Sequence, residues 1–315
     1  MCLTASHAKL PLSLTSTQSH ALTYWRIMSY ALGIMSELAR VREWYQKQGY
    51  SFEMESAHVC SRAGFDVQLG SFFSDPNSGK SRELDLICTR SVESPSADVC
   101  LYMHLLIQCK FLPDPWLFFS NKDHSSLPLE PSLLRDHRGD SPLYIWPDIP
   151  VPLAHGFLYG WPESAYGATT AHIEQPQRQS KGGSERMRKG DLAYEALASI
   201  TAAFNGWRPP RGALLSMPDQ RVYHLTVPVV FAKGSLFTVH WGKDGDVFAP
   251  TNTIRVAWSG GDTCRRILID VVEASTISGY LDNVSQTADA LVKSLATTPL
   301  RLKNRTPASA KSTKN

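Results

Sequence analysis

Apolar residues recur at helical spacing from Tyr24 to Gln48, at Ile27, Ala31, Ile34, Leu38, Val41 and Tyr45, which predicts a helix ended by Gly49. Ser51 is placed to cap a second helix through Ala63, with Phe52, Val59, Cys60 and Ala63 as its buried stripe and Gly64 as its stop. The period then shortens to that of extended chain. Phe65 to Phe73, Glu83 to Thr89 and Val99 to Cys109 predict three strands, the first two joined by the turn-forming run Ser74-Asp75-Pro76-Asn77-Ser78-Gly79. From Leu112 to Glu185 the pattern dissolves into Pro, His, Gly and Ser over a span too long for a plain loop. It reads as an insertion with scattered short structure, an embellishment rather than a lid or flap. Met187 to Asn205 predicts a helix with Leu192, Ala196, Ser199, Ile200 and Ala203 on one side. Val222 to Phe231 and Ser235 to Trp241 predict a hairpin turning at Lys233-Gly234. Strands at Thr253 to Trp258 and Cys264 to Val272 precede a last helix at Ile277 to Leu295. Helices before, between and after a small set of strands imply an α/β fold around one mixed central sheet, with no internal repeat.

Composition changes this picture little. With 43% hydrophobic and 19% charged residues in 315, the chain has enough apolar material for a core. The formal charge of +3 is misleading, because Pro299 to Asn315 carries Arg301, Lys303, Arg305, Lys311 and Lys314 and no acid. Without those five, 27 basic residues face 29 acidic ones, a charge of −2, so any phosphate site must come from a local patch. The expected organisation is a flexible leader over 1–20, a single domain over 21–298 with the insertion at about 112–185, and a basic disordered tail over 299–315. The six cysteines form no CxxC pair and no zinc-type spacing, which fits free buried thiols in a reducing cytoplasm. No signal peptide or membrane-spanning run is evident.

Candidate chemistry lies where polar groups interrupt apolar strands. Arg82-Glu83-Leu84-Asp85-Leu86-Ile87 places Asp85 on one strand, and Leu105-Leu106-Ile107-Gln108-Cys109-Lys110 places Gln108 and Lys110 on one face of another. If these strands are neighbours, a carboxylate, an amide and an ammonium converge, a set suited to a divalent metal and a phosphodiester. The bland alternative is an interstrand salt bridge between Asp85 and Lys110. Ser78-Gly79-Lys80-Ser81 lacks the earlier glycine of a P-loop and enters a strand, so it reads as a solvated turn whose Lys80 and Arg82 are weak candidates for DNA phosphates. Trp116 reads as core and His104 as a satisfied strand histidine. His124, His137, His155 and His172 lack metal-type spacing, and no Ser/His/Asp or Cys/His nucleophile set can be picked out.

From Trp44 to Lys110 the chain resembles the PD-(D/E)xK nuclease superfamily. Gly49-Tyr50-Ser51-Phe52-Glu53 with Ala63-Gly64-Phe65 resembles its opening helix, Arg82-Glu83-Leu84-Asp85 its central-aspartate strand, and Leu106-Ile107-Gln108-Cys109-Lys110 its third motif. Glutamine at 108 is similar to the Mrr-like branch with its QxK motif. The resemblance implies a restriction-endonuclease-like αβββαβ core and a metal-dependent DNA endonuclease using Mg²⁺ or Mn²⁺, with restriction or defence against foreign DNA as its expected role. It implies that Asp85 is the principal ligand, Gln108 offers its side-chain oxygen, the Cys109 carbonyl is a further ligand and Lys110 positions the nucleophilic water. Glu53 would be an outer ligand, favoured over Glu55, and Glu83 would assist or pair with Arg82. A neutral amide at 108 binds Mg²⁺ more weakly than a carboxylate, so the alternative is a catalytically inactive module of the same fold that binds nucleic acid or a protein partner. Cleavage of both strands of a duplex suggests a homodimer.

Overall fold

The computed structural model describes residues 35–46, 49–76, 78–94, 99–120, 134–136, 164–171, 191–208, 221–243, 245–258 and 267–297. The expected leader, the basic tail and most of the 112–185 stretch lie outside the described residues, as do 24–34, 47–48, 187–190 and 264–266 of predicted elements. The chain divides into two compact units, Met1–Ser51 and Phe52–Asn315. In the first, residues 35–46 form helix α1, and the Tyr45 hydroxyl donates to the Tyr50 carbonyl at 3.2 Å.

Helix α2 (Tyr50–Arg62) buries Phe52, Ser56, Ala57 and Cys60. Its stripe includes a serine that the apolar pattern left out. It stops at Gly64, whose φ of 84° suits a residue without a Cβ. Next come β1 (Asp66–Ser74), β2 (Ser81–Ser94) and β3 (Val99–Phe111), an antiparallel meander in the predicted order. β3 is buried on both faces from Leu105 to Ile107, as a central strand between helical layers must be.

The stretch read as an insertion supplies three strands, β4 (Trp116–Ser120), β5 (Leu134–Asp136) and β6 (Ser164–Thr170). All pair into the main sheet, so the described part of this stretch belongs to the framework. Helix α3 (Leu192–Gly206) follows, started by Asp191, whose carboxylate accepts the N–H groups of Ala193 and Tyr194 and the hydroxyls of Thr169 and Thr170. Then come β7 (Arg221–Lys233), β8 (Leu236–Gly242), β9 (Gly245–Thr251), β10 (Thr253–Trp258), β11 (Ile267–Glu273), a 3₁₀ turn (Ala274–Thr276) and helix α4 (Ile277–Thr297).

The described strands form one mixed sheet in the order β1-β2-β3-β7-β11-β10-β6-β4-β8-β9, with β5 on β7. β7 lies parallel to β3 from Val99↔Arg221 to Phe111↔Lys233, and β8 lies parallel to β4. The predicted hairpin at Lys233-Gly234 is therefore not formed. Instead β3→β4 and β7→β8 bend side by side, tied by Leu112 N–H to the Lys233 carbonyl and Trp116 N–H to the Ser235 carbonyl, both 3.0 Å. Gly234 serves this close approach: a Cβ there would lie 2.6 Å from the Leu112 Cβ, at a φ of 153°. The hairpin partner of β8 is β9, whose exposed, weakly apolar sequence had no strand pattern.

α3 covers one face of the β3–β7 region, where Trp207 packs on His104 with ring centroids 4.9 Å apart. α4 covers the other, where Tyr280 meets Phe231 edge-on and donates to Asp270. Asp270 also takes a bidentate, fully buried contact from Arg255 at 2.6 and 2.9 Å. Among the described residues, no helix is long and apolar enough to cross a membrane.

Candidate metal centre

β2 and β3 remain paired from Ser94↔Val99 to Leu86↔Ile107, and there the ladder stops. β2 continues beyond it alongside β1, down to Ser81↔Ser74. The two strands thus part at Asp85, the first residue of β2 past the shared ladder. The Cys109 N–H, with no backbone partner on β2, donates to Asp85 Oδ2 at 2.6 Å. Gln108 Nε2 donates to the same oxygen at 2.7 Å. An aspartate is short enough to fold back onto the vacated ladder position, and its carboxylate satisfies a backbone donor that would otherwise be costly to bury. Opposite Asp85 on β1 stands Gly70 with a φ of 60°, where a Cβ would come within 3.3 Å of Glu83 Oε1.

The expected site residues gather here. Glu53, in the first turn of α2, is half-buried and has its pKa raised, first by burial and then by the charges of Asp85 and Glu83, with Lys110 opposing. Burial also raises the Asp85 pKa, against the pull of the Cys109 N–H, Lys110 and Gln108. Three carboxylates therefore act on one another with one ammonium among them. This oxygen-rich, under-neutralised set has the chemistry of a site for a hard divalent cation. Among the described residues, no group of three His, Cys, Asp or Glu side chains stands at ligating distance of a common point. A cation here would draw on Asp85, Glu53 and the Cys109 carbonyl, which strand geometry turns to the same edge as its N–H.

Gln108 departs from expectation. Its nitrogen, not its oxygen, faces Asp85, because a carboxylate oxygen at 2.7 Å requires a donor. Its Oε1 instead accepts from Ser199 Oγ on α3 at 3.2 Å. Sequence reasoning gave Ser199 no role. The available signal was a half-buried hydroxyl on the predicted packing side of the helix.

The remaining candidates fall elsewhere. Glu55 pairs with Lys233 at 3.0 Å. Arg82 is bound to the buried Asp75 at 2.6 Å, and Ser78 Oγ donates to the same Asp75 oxygen at 2.8 Å. Arg82 Nε therefore braces the β1–β2 turn rather than pairing with Glu83, while the guanidinium stays about half exposed. Lys80 is exposed on that turn. The Cys109 thiol lies on the opposite face with Ser56 and Cys60, and burial drives its pKa up. His104 is hydrogen-bonded to Thr89 at 3.0 Å and His224 at 2.9 Å, and burial with the neighbouring His224 pushes it down to about 3. Trp116 is fully buried. No family model, curated protein or solved structure matches the chain.

Proposed function

We propose that this chain is a metal-dependent endonuclease that hydrolyses DNA phosphodiesters, on a restriction-endonuclease-like core of the PD-(D/E)xK type and its Mrr-like branch. The observation that carries this reading is Asp85 at the fork of β2 and β3, held by Gln108 and the Cys109 N–H within the field of Glu53 and Lys110. The element order supports it. α2, the meander β1-β2-β3, α3, and β7 parallel to β3 recur in the order of the αβββαβ core that the resemblance implies, with the three sheet strands β4, β5 and β6 inserted between β3 and α3.

Asp85 and Glu53 would hold Mg²⁺ or Mn²⁺, with the Cys109 carbonyl as a third oxygen. Such an ion neutralises charge on a scissile phosphate and acidifies a bound water. Lys110 lies two residues beyond Gln108 on the same strand face, half-buried, so its ammonium has a restricted range in which to hold the attacking water by a hydrogen bond. The crowding of Glu53 and Glu83 around Asp85 disfavours the fully ionised empty site and favours its filling by a cation.

Plasmid DNA, methylated and unmethylated, incubated with the protein in Mg²⁺ or Mn²⁺ tests the proposal. Cleavage is expected, with Asp85→Ala abolishing it together with Mn²⁺ binding. Lys110→Ala is expected to keep Mn²⁺ binding and slow cleavage by roughly 10²- to 10⁴-fold. Cleavage that survives both substitutions overturns the catalytic assignment.

The second reading, an inert nuclease-fold module that binds nucleic acid or a protein partner, is favoured by one observation: the Gln108 amide turns its nitrogen toward Asp85. DNA binding without Mn²⁺ binding or turnover would select it.

A further inference from the structure

We infer that Ser199 is a positioning residue of this centre, and that Gln108 serves it through its amide N–H rather than as a metal ligand. The inference deepens the proposed function and rests on it. Asp85 Oδ2 already receives the Cys109 N–H at 2.6 Å, so it is an acceptor, and the end of Gln108 that meets it at 2.7 Å must be the amino group. The other end of the amide is then the oxygen, 3.2 Å from Ser199 Oγ, which must donate its single proton to it. Gln108 is only 5% exposed, so solvent does not compete for either end. A helical serine commonly returns its hydroxyl to the carbonyl one turn back. Here it reaches across to β3, and the two elements are locked by a polar contact.

The result is a directed chain of donors: Ser199 to Gln108, Gln108 to Asp85 Oδ2. With the Cys109 N–H it fixes the Asp85 carboxylate by one oxygen and leaves Oδ1 as the oxygen for a cation. This also explains the residue type at 108. A glutamate there would bring a second acceptor against Asp85 Oδ2, with no N–H to offer it. Glutamine is thus the donor that this arrangement requires, and the ligand set reduces to Asp85 Oδ1, Glu53 and the Cys109 carbonyl.

Two measurements on the full chain test this, using Ser199→Ala, Ser199→Thr and Gln108→Leu. In the metal-free protein, the Gln108 side-chain NH₂ is identified by nitrogen-edited NMR as the resonance pair missing from Gln108→Leu. Its protons are expected to exchange slowly with water, and about tenfold faster in Ser199→Ala, while Ser199→Thr, which keeps the hydroxyl, retains the wild-type rate. In calorimetric titration with Mn²⁺, Ser199→Ala is expected to bind about tenfold more weakly and Ser199→Thr to match the wild type, as for loss of a group that orients a ligand. An unchanged exchange rate in Ser199→Ala, or unchanged Mn²⁺ affinity in a wild type that binds it, overturns the inference. A wild-type chain that binds no Mn²⁺ sinks the metal-dependent reading instead, and the exchange measurement still decides the donor chain.

Discussion

Asp85 and Glu53 sit where burial and mutual repulsion raise their pKa values above the ordinary 3.8 and 4.5. The folded state therefore holds their protons more tightly than the unfolded chain does. The stability they contribute is full below those ordinary values and is lost as pH rises through the raised folded values. His104 works in the opposite sense. Its pKa is pushed from 6.5 to about 3, so its contribution is present above pH 6.5 and is lost as pH falls toward 3. Urea midpoints of the metal-free protein across this range should separate the two effects. Asp85→Asn is expected to remove part of the decline above about pH 4, and His104→Asn part of the decline between 6.5 and 3. At this scale Asp85, Gln108 and Lys110 stood out in the chain, because charged and amide side chains within apolar strands have few structural uses, whereas Glu53, on helix α2, was singled out only by the resemblance. The orientation of the Gln108 amide was not, since it depends on Ser199, ninety-one positions away.

Among the elements, those driven by their own periodicity were read within a few residues: α2, β1, β3, β10 and α4, while β2 runs on to Ser94, past the predicted end at Thr89. The misreadings share a cause. Lys233-Gly234 carries the composition of a hairpin turn, yet Gly234 is needed because β3→β4 passes against it. Gly234→Ala should destabilise the fold by about 2–3 kcal/mol in chemical denaturation, from backbone strain together with the clash at Leu112. β9 is ordered by pairing with β8 rather than by any strand preference of its own, so it left no pattern to find. The Arg255–Asp270 pair, also bound by Tyr280, joins β10, β11 and α4 inside the core. Removing one partner leaves a buried charge, and Asp270→Ala is expected to cost about 3–5 kcal/mol, measured by the same unfolding transition.

For the molecule as a whole, charge is divided between a slightly acidic body and the five basic residues of 299–315. Non-specific DNA affinity should therefore reside largely in that segment. Its deletion is expected to flatten the salt dependence of DNA binding, the slope falling by roughly 0.9 for each phosphate that the segment neutralises, while Mn²⁺ affinity stays unchanged. Fluorescence titrations at several salt concentrations would measure the slope, and calorimetry the Mn²⁺ affinity. Sheet order belongs to this scale too. β4 and β6 reach the sheet only because β4 continues β3 beside β8, and β6 bridges β4 to β10. Nothing within residues 112–185 states those partners.

Local patterning alone determined that this chain builds helices around extended strands, and which acidic, amide and basic side chains interrupt them, because periodicity and polarity are properties of neighbouring residues. Only the tertiary structure decided that β2 leaves β3 at Asp85, that the freed Cys109 N–H turns to its carboxylate, and that Gln108 is held by Ser199. Those facts depend on where pairing between distant segments ends, and a strand's sequence does not record where its neighbour departs.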